Sequence, residues 1–175
     1  EGLHPPWGGP AADGMSFTLQ QGTTPLVISM PHVGTWIPED LQKALQPRAM
    51  QVEDTDWYLD RLYAFAADLG AGLLVPRESR YVIDLNRPSD NTPMYTGTNN
   101  TELVPTRFFT GEPLYRDGRE PDGVEVMRRI DELWQPYHDA LAGEVLRVRA
   151  AHGVELAFEI EFAGDWSAWT PEEAA

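Results

Sequence analysis

The chain has 175 residues, enough for one domain with a sizeable core, and its formal net charge is −15 at pH 7. So acidic a chain repels the phosphate backbone of nucleic acid, and no apolar stretch approaches the roughly 20 residues that span a bilayer. Because the sequence contains no cysteine, any metal must be held by histidine and carboxylate oxygen. We expect a cytoplasmic protein with no nucleic-acid or membrane partner.

Residues 1–14 read EGLHPPWGGPAADG, which is rich in proline and glycine and lacks both helical and alternating periodicity. They also lack the basic and apolar regions of a signal peptide. We expect a disordered extension there, with patterned sequence from Met15 onwards. The predicted domain covers residues 15–153.

Three short apolar runs predict strands. Residues 26–30 have the composition of a buried parallel strand, and residues 71–76 and 80–85 predict two more. From residue 86 to about residue 122 the chain is rich in proline, glycine, threonine and asparagine and shows little periodicity. A long irregular stretch of this kind is typical of a functional loop.

Two segments have the apolar spacing of helices. Residues 54–69 predict a helix that Asp54 or Thr55 caps, and residues 123–151 predict a longer one with a kink over residues 132–136, where a proline interrupts the hydrogen bonding. The buried stripe of the first helix is expected at Leu59, Leu62, Tyr63, Ala66 and Leu69. Strands alternating with amphipathic helices predict an α/β sandwich around a mostly parallel or mixed sheet.

His32 directly follows the first strand, in PLVISMPHVG. In open α/β sheets, ligands bind beyond the carboxyl ends of strands. Three carboxylates follow, Glu53, Asp54 and Asp56, and His32 with Asp54 or Asp56 would form the histidine and carboxylate pair of hydrolytic zinc sites. The residues alone leave two interpretations open: a metal site, or a solvated loop histidine and carboxylates that cap the next helix.

The segment SRYVIDLNRP contains the second polar group, Arg80, Asp84, Asn86 and Arg87. An arginine after a strand end, beside an amide donor, suits a carboxylate ligand because the guanidinium donates two parallel hydrogen bonds. The alternative is a salt bridge from Arg87 to Asp84 or Asp90.

Two other residues, His138 and Ser79, are weaker candidates for the site. His138 lies on the long helix, where a histidine is more often a packing or capping residue than a ligand. Ser79 is not flanked by the glycines of a nucleophile elbow, so a serine nucleophile is poorly supported.

Five segments carry a family resemblance: PLVISMPHVG, DTDWYLDRLYAFAADLGA, SRYVIDLNRP, NTELVPTRFFTGEPLYR and ELWQPYHDAL. In this order, over about residues 18–153, they resemble the N-formylglutamate deformylase family, also called N-formylglutamate amidohydrolases, of bacterial histidine catabolism. Together they are far more specific than any single short motif.

The resemblance implies a three-layer sandwich around a mixed sheet, zinc carboxypeptidase-like (phosphorylase/hydrolase-like). It also implies zinc or another divalent metal, whose activated water hydrolyses N-formyl-L-glutamate, a small acidic substrate, to formate and L-glutamate. The implied site residues are His32 with Asp54 or Asp56 on the metal, and Asn86, Arg87 and Arg80 on the substrate.

The chain departs from the family pattern after residue 153. Family members continue with a strand leading into an Asp-x-His-Ser motif and, later, a glutamate implied as general base, whereas residues 154–175 read VELAFEIEFAGDWSAWTPEEAA. Apolar and acidic residues alternate at the start of this segment, which predicts a one-sided strand in a divergent tail. We therefore expect an incomplete domain with no assigned general base.

Two functions stay open at this point. One is a metal-dependent deformylase. The other is a catalytically inactive fragment of the same family that binds a small acidic molecule or a partner chain.

Overall fold

The computed structural model describes residues 14–92, 102–153 and 156–159, the last range by its backbone alone. Its four strands are β1 (Phe17–Gln20), β2 (Leu26–Ser29), β3 (Gly72–Pro76) and β4 (Leu156–Glu159). They lie in the order β1-β3-β2-β4; β1 is antiparallel to β3, and β2 is parallel to both β3 and β4. The mixed sheet is confirmed, as are the strands predicted near residues 26–30 and 71–76.

The helices before β3 are short, whereas those after it follow one another without a break and form one long helical segment. They are α1 (Glu39–Gln42), a 3₁₀ helix (Pro47–Gln51), α2 (Leu59–Leu62), α3 (Phe65–Asp68), α4 (Gly123–Arg129), a π-helical turn (Ile130–Trp134) and α5 (Gln135–His152). None of the helices in the described part of the chain combines the length and apolar character needed to cross a membrane.

Helices pack on both faces of the sheet. Neighbouring residues of β3 point to opposite faces, as the two-residue period of a strand requires. Leu73 belongs to a buried cluster with Leu59 of α2 and Ala66 of α3, whereas Leu74 belongs to another with Tyr137 of α5. The Tyr137 hydroxyl also lies 2.7 Å from the Ser29 hydroxyl of β2. The described chain is therefore an α/β structure with a small mixed sheet between helices.

The prediction of a single helix over residues 54–69 is wrong. The structure has two separate turns, α2 and α3, and Tyr58 precedes α2 with a left-handed φ of 62° and no side-chain cap. The start of the segment is held to the His32 loop instead, because the backbone N–H of Asp56 donates to the carbonyl of His32 at 3.0 Å. Two members of the expected buried stripe, Leu62 and Leu69, are 58% and 57% exposed.

The prediction of a strand over residues 80–85 is also wrong. The segment is a buried series of turns, in which Val82 donates to the Ser79 carbonyl at 2.8 Å and Asp84 donates to the Leu103 carbonyl at 2.7 Å. Its apolar side chains are buried in two different clusters. A short apolar run indicates burial but does not by itself distinguish a strand from a buried turn.

The long helical segment is confirmed, with its irregularity where a kink was expected. Residues 130–134 form the π-helical turn, and Gln135 donates across it to the carbonyl of Ile130. Pro136 follows directly after the π-helical turn, and as a proline it has no backbone N–H to donate to the preceding turn. The predicted irregularity of the helix is therefore confined to the wider π-helical turn.

Gly34 holds the loop after β2 close to the chain that follows β3. Trp36 donates to the Arg77 carbonyl at 3.0 Å, and Ser79 donates to the Trp36 carbonyl at 2.8 Å. A Cβ atom at Gly34 would overlap the carbonyl oxygen of Glu78. Only glycine permits this approach, which brings the His32 loop against residues 77–79.

Gly34→Ala is expected to lower the free energy of unfolding by about 1–3 kcal/mol, because the added methyl group overpacks a backbone contact. The matched control is Gly143→Ala in α5, where a Cβ meets open space and the substitution should stabilise by about 0.5–1 kcal/mol. Urea denaturation measures both variants. Equal effects of the two substitutions would contradict the proposed close contact.

Candidate functional site

His32 lies in the loop after β2, and its side chain is buried between two carboxylates. Its Nε2 is 2.7 Å from Oδ1 of Asp84, and its Nδ1 is 3.6 Å from Oδ2 of Asp56. Burial alone would lower the pKa of His32, but the neighbouring carboxylates of Asp56 and Asp84 outweigh it, so the pKa is raised. The structure thus brings together His32 and one of the two aspartates predicted beside it.

Asp84 is the centre of the polar cluster and is fully buried. Its Oδ2 accepts from Nη2 of Arg80 at 2.6 Å, and its Oδ1 also accepts from the backbone N–H of Asn86 at 3.0 Å. Burial opposes ionisation of Asp84, but the hydrogen bond and charge of His32 and the charges of Arg80 and Arg87 hold its pKa far below the usual range. Asp84 is therefore an ionised carboxylate surrounded by donors.

Asp54 occupies a different place from Asp56. Its Oδ2 accepts from the backbone N–H of Phe109 at 3.1 Å, and its own N–H lies 3.3 Å from the Tyr81 hydroxyl. Burial is the main reason that the pKa of Asp54 is raised. The other acidic neighbour, Glu53, pairs with Arg48.

The predicted substrate-binding residues have unequal surroundings. Arg80 is buried against Asp84 and stacks over the ring of Phe109, 4.5 Å from its centroid. Arg87 lies nearer the surface, with its Nε 3.8 Å from Oδ2 of Asp84. The salt bridge to Asp84 that is the alternative for Arg87 is thus a long contact, whereas Arg80 makes a short one.

His138 has the surroundings of a packing residue. Its Nε2 is 2.9 Å from the Leu85 carbonyl, and its ring stacks on Trp134 with centroids 3.9 Å apart. Burial lowers its pKa. These contacts fit the packing interpretation of a helical histidine.

The sequence places Asp84 in the second polar group but assigns it no role beyond a possible salt bridge to Arg87. In the structure Asp84 contacts both His32 and Arg80. The available signal was a charged residue inside an apolar run, four residues after an arginine. Such a carboxylate is seldom buried unless it is paired.

The predicted metal ligands are His32 with Asp54 or Asp56. Within residues 14–92, 102–153 and 156–159, no group of three or more His, Cys, Asp or Glu side chains is arranged to hold a metal ion. His32 and Asp56 nevertheless present an imidazole nitrogen and a carboxylate oxygen 3.6 Å apart, which are donors that zinc prefers. The residues present therefore fit two ligands of a metal site.

One of the solved structures with this fold is named as an amidohydrolase. The crystal structure of N-formylglutamate amidohydrolase from Ralstonia eutropha JMP134 matches with a TM-score of 0.69 and 27% identity, covering 82% of this chain and 55% of that one. The gene product Atu2144 from Agrobacterium tumefaciens matches with a TM-score of 0.64 at 20% identity, covering 85% of this chain and 56% of that one, and shows the fold alone.

Sequence comparison gives the family directly. The N-formylglutamate amidohydrolase model matches residues 24–161, and the chain belongs to this family. It is 45% identical over 143 residues to the N-formylglutamate deformylase of Pseudomonas aeruginosa and 42% identical to that of Pseudomonas putida. Each match covers 82% of this chain and 53% of the relative, so the chain spans about half the length of these curated relatives. Both relatives are named as enzymes.

Arg80→Leu is expected to destabilise the protein by about 3–5 kcal/mol, because it leaves the buried Asp84 carboxylate without its closest cation. Arg128→Leu is the control, since Arg128 pairs with Glu125 and Glu132 but is 46% exposed. Surface pairs of that kind contribute no more than about 1 kcal/mol. Guanidinium denaturation distinguishes the two; a similar small loss in both would refute a strongly coupled buried pair.

Proposed function

We propose that this chain contributes to a metal-dependent amidohydrolase that cleaves N-formyl-L-glutamate to formate and L-glutamate. The observation that carries the proposal is the buried imidazole of His32 between Asp56 and Asp84, in a chain 45% identical to a relative named N-formylglutamate deformylase. The proposal includes a zinc carboxypeptidase-like fold, a role in histidine catabolism and a cytoplasmic location.

In this proposal His32 and Asp56 hold a divalent metal. The ionised Asp84 can only accept hydrogen bonds, so the Nε2 of His32 that faces it carries a proton. This leaves Nδ1 as the ligand atom, and it is the nitrogen that lies towards Asp56. A carboxylate that fixes the far nitrogen of a ligating histidine is a common feature of metal sites.

A bound metal would supply a polarised carbonyl oxygen and a water that ionises near neutral pH. Catalytic zinc sites use three protein ligands, and two are assigned on this chain. The general base stays unassigned, because the resemblance implies a glutamate from a later part of the family's sequence.

Arg87 and Asn86 are proposed to bind a carboxylate of the substrate. N-formyl-L-glutamate carries two carboxylates, and a chain with a net charge of −15 repels anions except where cations are concentrated. A guanidinium binds a carboxylate through two parallel hydrogen bonds, which orients the formyl amide as well as attracting it. Arg87, the more exposed of the two arginines beside Asp84, provides a cationic group at this position.

The first test is formate release from N-formyl-L-glutamate by the zinc-supplied protein. We expect a chelator to abolish turnover and added zinc to restore it, and His32→Ala to lower kcat/KM by more than about 100-fold, beyond the effect of losing an outer partner. His152→Ala, at the exposed end of α5, is the control. The deformylase proposal fails for this chain if no formate appears with zinc present, and its metal requirement fails if turnover survives chelation.

The second test asks which aspartate holds the metal. Asp56→Asn should lower zinc affinity by at least about 10-fold in calorimetry of the metal-free protein, because the amide removes a charged ligand. Asp54→Asn is the matched control, since the Asp54 carboxylate bonds to Phe109. A larger loss in Asp54→Asn than in Asp56→Asn would reverse the assignment.

A further inference from the structure

The α2–α3 segment has two apolar sides, and only one of them packs on the sheet. Leu59 and Ala66, seven positions apart, are buried in one cluster with Leu73 of β3. Five large apolar side chains of the same segment are instead between 42% and 58% exposed: Trp57, Tyr58, Leu62, Phe65 and Leu69. These five residues are called the apolar patch below.

The patch is concentrated rather than scattered. Four of its members recur at intervals of four, three and four positions, which is the spacing of one helical face: Tyr58, Leu62, Phe65 and Leu69. The rings of Trp57 and Tyr58 have centroids 6.4 Å apart. Residues 57–69 thus contain five of the twelve large apolar side chains that are exposed in the described part of the chain. Such a concentration marks an interaction site, whereas single exposed apolar residues do not.

The area of the patch matches one side of a stable protein interface. A large side chain has roughly 150–250 Å² of surface, so five that are about half exposed present on the order of 500 Å². A standard interface buries about 800 Å² on each partner, of which about 60% is apolar. The patch therefore presents about as much apolar area as one protomer of a stable dimer contributes.

The charges beside the patch are complementary to each other. The guanidinium of Arg61 lies 5.6 Å from the ring centroid of Tyr58, and Asp68 directly precedes Leu69. Arg61 and Asp68 are both exposed and are seven positions apart, which is about two helical turns. In a two-fold symmetric contact both copies use the same surface, and each contact occurs twice. When the two segments run antiparallel, Arg61 of each copy meets Asp68 of the other.

We infer that the apolar patch is the contact surface of a homodimer, in which a second copy of this chain packs antiparallel across α2 and α3. A second copy is favoured because the patch supplies both members of its own charge pair as well as the apolar area. The inference is independent of the proposed function, since it involves neither substrate nor metal.

The first test is sedimentation equilibrium of the 175-residue protein at about 0.15 M salt, where a Debye length of about 8 Å screens the repulsion between two chains of net charge −15. We expect a dimer at or below about 100 μM. Phe65→Glu should lower the dimer affinity by more than about 100-fold, because a charge enters the apolar contact from both protomers. Leu146→Glu is the matched control, since Leu146 of α5 is 64% exposed outside the patch.

The second test is a charge exchange that reports the antiparallel arrangement. Arg61→Asp alone and Asp68→Arg alone each place like charges opposite one another twice, and each should weaken the dimer by about 5-fold to 10-fold. The double variant Arg61→Asp with Asp68→Arg restores opposite charges and should recover most of the wild-type affinity. Losses in the double variant that merely add up would contradict the antiparallel pairing. Circular dichroism of every variant checks that the fold is retained.

Other results would overturn the dimer itself. A wild-type protein that stays monomeric up to about 100 μM would do so, as would a dimer that Phe65→Glu leaves intact. The wild-type monomer could instead bind a polypeptide carrying the part of the Pseudomonas aeruginosa relative that lies outside the match. Loss of that binding in Phe65→Glu would assign the patch to the other half of the family's fold and refute the homodimer.

Discussion

The structure depends on how the negative charge of one buried carboxylate, that of Asp84, is compensated. Asp84 has no exposed surface, and a charge taken out of water costs several kcal/mol unless hydrogen bonds and opposite charges replace its hydration. Its donors come from the loop after β2 and from its own segment: His32, Arg80 and the backbone of Asn86. Satisfying Asp84 therefore requires these two parts of the chain to meet in one arrangement.

The sheet brings those parts together. β2 and β3 are parallel neighbours, so the chain leaves both strands at the same edge of the sheet. The bonds between Trp36 and residues 77–79, and the close approach at Gly34, hold the two exits side by side. The polar cluster therefore lies where the loop after β2 contacts the loop after β3. Burial of the cluster stabilises the packing of these two loops.

Much of this was predictable because it is local. The apolar run after residue 25, the helical periodicity after residue 123 and the proline within it fixed β2, the long helix and the position of its irregular turn. His32 and Arg87 were predictable as candidates because each follows an apolar run. The irregular start of residues 54–69 was not predictable, since the backbone N–H of Asp56 bonds to the His32 carbonyl, a partner more than 20 positions away that no local pattern encodes.

The sequence by itself determined the family, the mixed α/β character and the residue types of the site, because motifs, periodicity and composition are sufficient to infer them. Only the tertiary structure decided which residues meet. It set Asp56 rather than Asp54 beside His32, and it joined Arg80 to a buried Asp84. The physical reason is that the energy of a buried charge depends on what surrounds it in space, and for Asp84 those surroundings come from two loops that only the sheet brings together.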